Sequence, residues 1–102
     1  MILLGIDIGS SSIKVNLVDG ENSVSLASAS HPPKEMEIIS QQSDWAEQDP
    51  EMWMDNLFLA LEKVKSKVGD RFHQIGAIGI SYQMHGLVAI DKNGHLIRNA
   101  II

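Results

Sequence analysis

An acidic residue, a turn of small residues and a lysine follow one another near the start of the chain. Residues 5–14 read Gly-Ile-Asp-Ile-Gly-Ser-Ser-Ser-Ile-Lys, so a carboxylate lies in an apolar run and three serines follow it. Small residues in a turn let backbone N–H groups approach an anion closely, and serine hydroxyls add donors. A carboxylate beside such a turn can hold a hydrated magnesium ion that bridges phosphates. The segment therefore predicts a site for phosphate and Mg²⁺ beside Asp7.

A structural interpretation of the same residues stays open at this point. Asp7 would then bond only to turn amides, and Lys14 would be a solvated strand residue. The segment matches neither the Walker motif nor the dinucleotide-binding glycine motif. The residue pattern alone favours the structural interpretation, more strongly for Lys14 than for Asp7.

A second cluster follows the apolar run at residues 75–80 and reads Ser-Tyr-Gln-Met-His-Gly over residues 81–86. Gln83 and His85 have groups that bond sugar hydroxyls, and Met84 can pack against carbon atoms. The alternative is an ordinary loop histidine and a core methionine, which the pattern alone favours. No histidine or carboxylate spacing indicates a zinc site.

Four segments before the predicted helix have the patterns of strands. The continuous apolar run at residues 2–8 predicts a strand buried on both faces. Residues 12–18 and 24–30 alternate apolar and polar side chains, so they predict two further strands of an antiparallel meander. A short strand is expected at residues 36–39, after a proline-rich excursion.

A helix is predicted over residues 50–68. Asp49 can cap it, Pro50 suits its first turn, and Gly69 can end it. We expect Trp45 to pack at its start, and Glu47 has no predicted partner. The apolar side chains recur at steps of three or four residues and form one face: Trp53, Leu57, Leu61, Val64 and Val68.

The next strand, residues 75–81, is reached through this helix, which predicts a parallel crossover beside the first strand. Asp7 and Ser81 would then end neighbouring strands at one edge of the sheet, where α/β proteins bind ligands. Residues 87–102 predict a hairpin with its turn at residues 91–94. This order of elements indicates an α/β fold with the mixed sheet of ribonuclease H.

The composition of the chain excludes some classes of function. The chain has 102 residues, 13 acidic and 8 basic side chains, a formal net charge of -5 and no cysteine. We expect one small domain over residues 1–102, with no basic face for nucleic acid or anionic membranes. No segment has the pattern of a targeting or membrane signal, so we expect a cytoplasmic protein. A mixed sheet needs helices on both faces and only one is predicted, so we expect an incomplete amino-terminal portion of a longer protein.

Three segments, residues 5–14, 45–50 and 78–88, resemble the motifs of the FGGY carbohydrate kinases, which belong to the actin/hexokinase/Hsp70 superfamily. The motifs follow in family order and spacing, and the resemblance covers essentially all 102 residues. The third motif resembles the xylulokinases in particular. Glycerol kinases have an arginine-glutamate pair where this chain has Met84 and His85.

The resemblance implies ATP-dependent phosphorylation of D-xylulose at its 5-hydroxyl, with ATP and Mg²⁺ as cofactors. Asp7 would lie near Mg²⁺ and the transferred phosphate. The residues expected to bind the nucleotide phosphates are Gly9, Ser10, Ser11, Ser12 and Lys14. Those expected to bind the sugar are Gln83, Met84 and His85.

The resemblance also implies that much of the machinery lies elsewhere. Family members are several times longer, with a second domain, and their catalytic base and adenosine pocket lie beyond residue 102. We therefore expect the chain alone to be inactive and to self-associate, and the parent enzyme to form a homodimer. The alternatives are an FGGY kinase for ribulose, gluconate or a deoxy-ketose, a non-catalytic nucleotide- or sugar-binding module, and a purely structural domain.

Overall fold

A computed structural model describes all residues, 1–102. It contains a single α-helix, a 3₁₀ helix and six strands, and no helix is long and apolar enough to cross a membrane. In chain order these are β1 Ile2–Ile8, β2 Ile13–Asp19, β3 Ser25–His31, β4 Glu47–Gln48, α1 Pro50–Val68, the 3₁₀ helix Gly69–Gln74, β5 Ile75–Tyr82 and β6 Ala100–Ile101.

Four of these strands form the main sheet, in the order β3-β2-β1-β5. Strand β2 lies antiparallel to both β1 and β3, and β5 lies parallel to β1. Because β1 and β5 run parallel, the chain must cross back along the sheet before it enters β5. Helix α1 makes that crossing. The structure confirms the predicted meander and the predicted parallel crossover.

The hydrophobic core lies between α1 and one face of the main sheet. In β1, Ile2, Leu4 and Ile6 are buried there, together with Val15 and Leu17 of β2. The intervening residues of β1 point to the opposite face and are exposed. The prediction that β1 is buried on both faces was therefore wrong for these residues, because α1 covers only one face of the sheet.

Helix α1 begins and ends as the sequence predicts. The Asp49 carboxylate accepts a hydrogen bond of 3.0 Å from the backbone N–H of Glu51, and Pro50 occupies the first turn. Gly69 follows the helix at φ 61°, a left-handed value that glycine adopts readily, and its N–H bonds the Lys65 carbonyl. All five predicted apolar residues of its inner face are buried or half-buried.

One predicted strand is not formed, and one predicted hairpin is irregular. Residues 36–39 make no strand, and Ile39 has only an isolated bridge to Glu47. Residues 87–102 form the predicted hairpin irregularly, because Ile90 and Leu96 bridge beside the turn at residues 91–94 and Leu87 and Ile101 bridge farther from it, without a continuous ladder between them. Strand β6 also pairs with β4, and Ala100 is fully buried there.

The structure also corrects two expectations about residues in or near β4. Trp45 is 48% exposed, so it does not pack closely at the start of α1. Glu47 is only 6% exposed and forms an ion pair with Arg98. A buried carboxylate needs such a partner, because desolvation without one is costly. The ion pair therefore ties β4 to the segment that leads into β6.

Strand β5 is an edge strand of the main sheet and is poorly covered. Ile78, Ile80 and Tyr82 are 61%, 57% and 72% exposed, respectively. They lie on the same face as the core residues of β1, but α1 packs on the β2 and β3 side. We call these three side chains the open β5 face.

Candidate functional site

The ends of the two parallel strands bring a carboxylate and a hydroxyl together. The register places Asp7 of β1 beside Ser81 of β5, as the sequence predicts. The Ser81 hydroxyl donates a hydrogen bond of 2.9 Å to Oδ1 of Asp7. Asp7 is exposed, so its other carboxylate oxygen is open to solvent or to a ligand. Ser81 was predicted to lie here, but not to contact Asp7.

The turn between β1 and β2, which we call the serine turn (residues 9–12), presents free donors. The N–H of Gly9 donates to the Ser12 carbonyl at 3.1 Å, whereas the N–H groups of Ser10 and Ser11 donate to no acceptor in the chain. A Cβ atom at Gly9 would lie 3.0 Å from that carbonyl oxygen, so the tight turn favours glycine. These free N–H groups can bind an anion.

Lys14 lies directly across from Asp7 in the antiparallel register of β1 and β2. Its side chain is exposed and makes no ion pair within the chain. It therefore adds a positive charge to the neighbourhood of the serine turn without neutralising Asp7 by direct contact. The serine turn, Asp7 and Lys14 are thus close together, as their sequence spacing predicts.

Two buried residues donate hydrogen bonds to backbone carbonyls of the serine turn. The side-chain amide of Gln48 donates to the Ser10 carbonyl at 2.6 Å, and the N–H of Met36 donates to the Ser11 carbonyl at 2.9 Å. The indole N–H of Trp53 donates to Oε1 of Gln48 at 2.9 Å. The sequence gives no signal for this role of Gln48, which stands among polar residues and is fully buried.

A broad depression of about 950 Å³ lies on the sheet face opposite α1. Its floor includes Gly5 and Gly79, which have no side chains to fill it. Most of its side chains are polar: Asp7, Lys14, Asn16, Ser25, Ser28, Ser30 and Ser81. Asp7 and Ser81 thus stand on the border between this depression and the edge of the sheet.

The predicted sugar-binding residues follow β5 and are less enclosed. Met84 is 82% exposed and His85 is also exposed, and neither lines a described cavity. Gln83 lines a small cavity of about 150 Å³ between α1 and the end of β5, together with Trp53 and Tyr82. Its Nε2 atom is buried without a hydrogen-bond partner. Buried amides nearly always have partners, so this donor is unusual, and a ligand oxygen would reach it only if the atoms that cover it moved.

The carboxylates suit a weakly held metal rather than a closed metal centre. No cluster of three or more histidine, aspartate or glutamate side chains is present that could enclose a metal ion. Mg²⁺ usually keeps several waters and takes one or two carboxylates together with substrate phosphates. Asp7, with one oxygen bonded by Ser81 and the other free, fits that arrangement.

Comparison with models of protein families shows which family the chain belongs to. The model of the FGGY family of carbohydrate kinases, N-terminal domain, matches residues 2–102. The chain belongs to the FGGY family of carbohydrate kinases. Within that family, the xylulose kinase of Bacillus subtilis (strain 168) is 33% identical over 100 residues, covering 98% of this chain and 19% of the relative. This FGGY chain thus spans about a fifth of the length of such relatives.

Solved structures of FGGY-type sugar kinases share the fold. A xyloylose kinase from Brucella ovis superposes with a TM-score of 0.91 at 30% identity, covering 100% of this chain and 21% of that one. A gluconate kinase from Lactobacillus acidophilus gives 0.81 at 29% identity, covering 98% and 19%. The predicted fold class, the incomplete amino-terminal portion of an actin/hexokinase-like kinase, is confirmed.

Proposed function

We propose that this chain is the amino-terminal part of an ATP-dependent sugar kinase that converts D-xylulose to D-xylulose 5-phosphate. The geometry at the sheet edge supports this most directly, since an exposed Asp7 lies beside a turn with free N–H donors. The similarity to xylulose kinases supports the choice of sugar. We also propose a cytoplasmic location, because ATP is supplied there.

On the phosphate side, we assign binding to the serine turn. The free N–H groups of Ser10 and Ser11 would donate to phosphate oxygens, with the serine hydroxyls and Lys14 adding donors and positive charge. Gly9 keeps the turn tight enough for this approach. Asp7 would hold the water shell of Mg²⁺, which neutralises phosphate charge during transfer.

On the sugar side, we assign binding to Gln83, Met84 and His85. The unpartnered Nε2 of Gln83 is a donor for a sugar hydroxyl. The exposed His85 can donate or accept, and Met84 can cover the carbon skeleton. A sugar bound here would satisfy the Gln83 donor once the atoms that cover it moved, and it would remove the exposed Met84 side chain from water.

Gluconate is the second candidate substrate. The supporting observation is the structural similarity to a gluconate kinase, whose TM-score of 0.81 equals that of one xylulose kinase and is lower than those of two others, at 0.91 and 0.86. The residues that we assign to the sugar can bond hydroxyl groups, and none of them is selective for a keto group. The choice between the two substrates therefore depends on the sugar panel described next.

The substrate assignment is tested with the whole kinase and with the 102-residue chain in parallel. Each is incubated with ATP, Mg²⁺ and one sugar from a panel of D-xylulose, ribulose, gluconate and glycerol, and ADP release is measured. We expect the whole kinase to consume ATP fastest with D-xylulose, and the chain alone to show no turnover. A faster rate with gluconate would favour the second candidate, and no turnover with any sugar would refute the kinase proposal.

We further propose that the isolated chain self-associates through the open β5 face. An unpaired edge strand with three exposed apolar side chains is a typical association surface. We expect Ile80→Lys to weaken association at least about tenfold, because a charge would be buried in the contact. Ile97, also highly exposed but outside β5, provides the control Ile97→Lys. Analytical ultracentrifugation measures the association. An unsubstituted chain that is monomeric at high concentration would contradict the proposal.

A further inference from the structure

Gln48 connects the serine turn to the interior of the molecule. Its side chain is fully buried, and all of its polar groups are used. Its amide donates to the carbonyls of Ser10 and Glu37, at 2.6 and 3.4 Å, and its Oε1 accepts from Trp53. A buried side chain with every donor and acceptor satisfied is fixed in one geometry.

The hydrogen bond from Gln48 to the Ser10 carbonyl determines the direction of the next N–H group in the serine turn. A backbone carbonyl and the N–H of the next residue belong to one planar peptide unit, so fixing the Ser10 carbonyl also fixes the direction of the Ser11 N–H. That N–H has no acceptor in the chain, and the Ser10 N–H has none either. Gln48 therefore holds the free Ser11 N–H in a fixed direction although it is itself out of contact with solvent.

We propose that Gln48 is a positioning residue for the nucleotide phosphates, which it serves by fixing the Ser10–Ser11 peptide in its phosphate-binding orientation. This inference rests on the proposed kinase function. Its partner Trp53 lies on α1, so the orientation of the turn is set by the most regular element of the fold. Positioning of this kind lowers the cost of ordering the turn when a phosphate binds.

The matched control is Asn56, a second buried amide on the same side of the fold. Asn56 is 8% exposed and bonds the His31 ring and the Met52 carbonyl, but it makes no bond to the serine turn. Replacing either amide by an apolar residue, in Gln48→Met or Asn56→Leu, removes buried hydrogen bonds. Only the first replacement releases the Ser10 carbonyl.

The test measures KM for ATP and for the sugar separately in the whole kinase. We expect Gln48→Met to raise KM for ATP about tenfold and to change KM for the sugar by less than about twofold. Asn56→Leu should leave both values within about twofold. Hydrogen exchange at the Gly9 N–H, which bonds the Ser12 carbonyl across the turn, should be faster without nucleotide in Gln48→Met than in Asn56→Leu.

Each outcome decides the proposal. Equal KM for ATP in Gln48→Met and Asn56→Leu, or unchanged exchange at the Gly9 N–H, would overturn it. If Gln48→Met does not fold, Gln48→Asn decides instead, because its shorter amide keeps the polarity but cannot reach both Ser10 and Trp53. A raised KM for ATP then supports the proposal and an unchanged KM refutes it. An unsubstituted enzyme without sugar-dependent turnover would refute the kinase function, whereas the exchange result would still report on Gln48.

Discussion

Replacing Asp7 by asparagine in the whole kinase is expected to lower kcat about 10²- to 10³-fold. The substitution keeps the shape of the side chain and an oxygen that accepts from Ser81, so the strand ends should stay paired. It removes the negative charge that would hold hydrated Mg²⁺ against the phosphates, and charge stabilisation of this kind has effects of that size. Steady-state kinetics with saturating D-xylulose and ATP measures the change.

Ser81→Ala is the companion variant for Asp7. It leaves the carboxylate in place and removes only the hydrogen bond to Oδ1, so we expect a loss of about threefold to tenfold. A titration with Mg²⁺ should also shift its midpoint upward in Asp7→Asn. Activity of Asp7→Asn within threefold of the unsubstituted enzyme would exclude Asp7 from the phosphate site.

The second large effect is expected at His85. In the whole kinase, His85→Ala should lower kcat/KM for D-xylulose about 100-fold, because a sugar hydroxyl would lose its partner in a closed site. KM for ATP should stay within about twofold, since the serine turn is untouched. Met84→Ala should give a smaller loss, through lost apolar contact with the sugar carbons.

A second histidine provides the control for His85. His95 is exposed, contacts Asp91 and stands away from both cavities, so His95→Ala should change neither KM. If His85→Ala and His95→Ala have the same kinetics, His85 does not contact the sugar. If His85→Ala instead raises KM for ATP alone, the loop after β5 belongs to the nucleotide side.

Local patterns in the sequence were sufficient for the main sheet and the helix. The apolar run of β1, the alternation in β2 and the cap at Asp49 each depend on neighbouring residues only, and the observed ends of these elements differ by at most one residue. The adjacency of Asp7 and Ser81 followed from one topological rule, that a strand–helix–strand crossover makes parallel neighbours.

Long-range pairing was not accessible from the same patterns. Strand β4 has only two residues, Glu47 and Gln48, and its partner β6 lies about fifty residues further along the chain. The turn at residues 91–94 has a strong local hairpin signal and an irregular hairpin forms there, but the pairing of its second arm with β4 has no local signal. Buried polar side chains such as Gln48 look like surface residues until the groups that they contact are known.

The roles of the site residues remain predictions. The structure brings Asp7, Lys14 and the serine turn together and gives Gln83 an unpartnered donor. It does not enclose Met84 or His85, whose exposure follows from their position in an open turn after β5. Enclosure of a sugar between these residues therefore requires contacts from outside residues 1–102.

The ion pair between Glu47 and Arg98 sets a lower limit on the size of a piece that can fold. A shorter version ending before Arg98 would lack both the cation that pairs with Glu47 and the strand β6 that pairs with β4. Losing both would lower the free energy of unfolding of a domain that is small to begin with. Residues 98–101 are thus an integral part of the fold, and dissection of this domain by truncation should retain them.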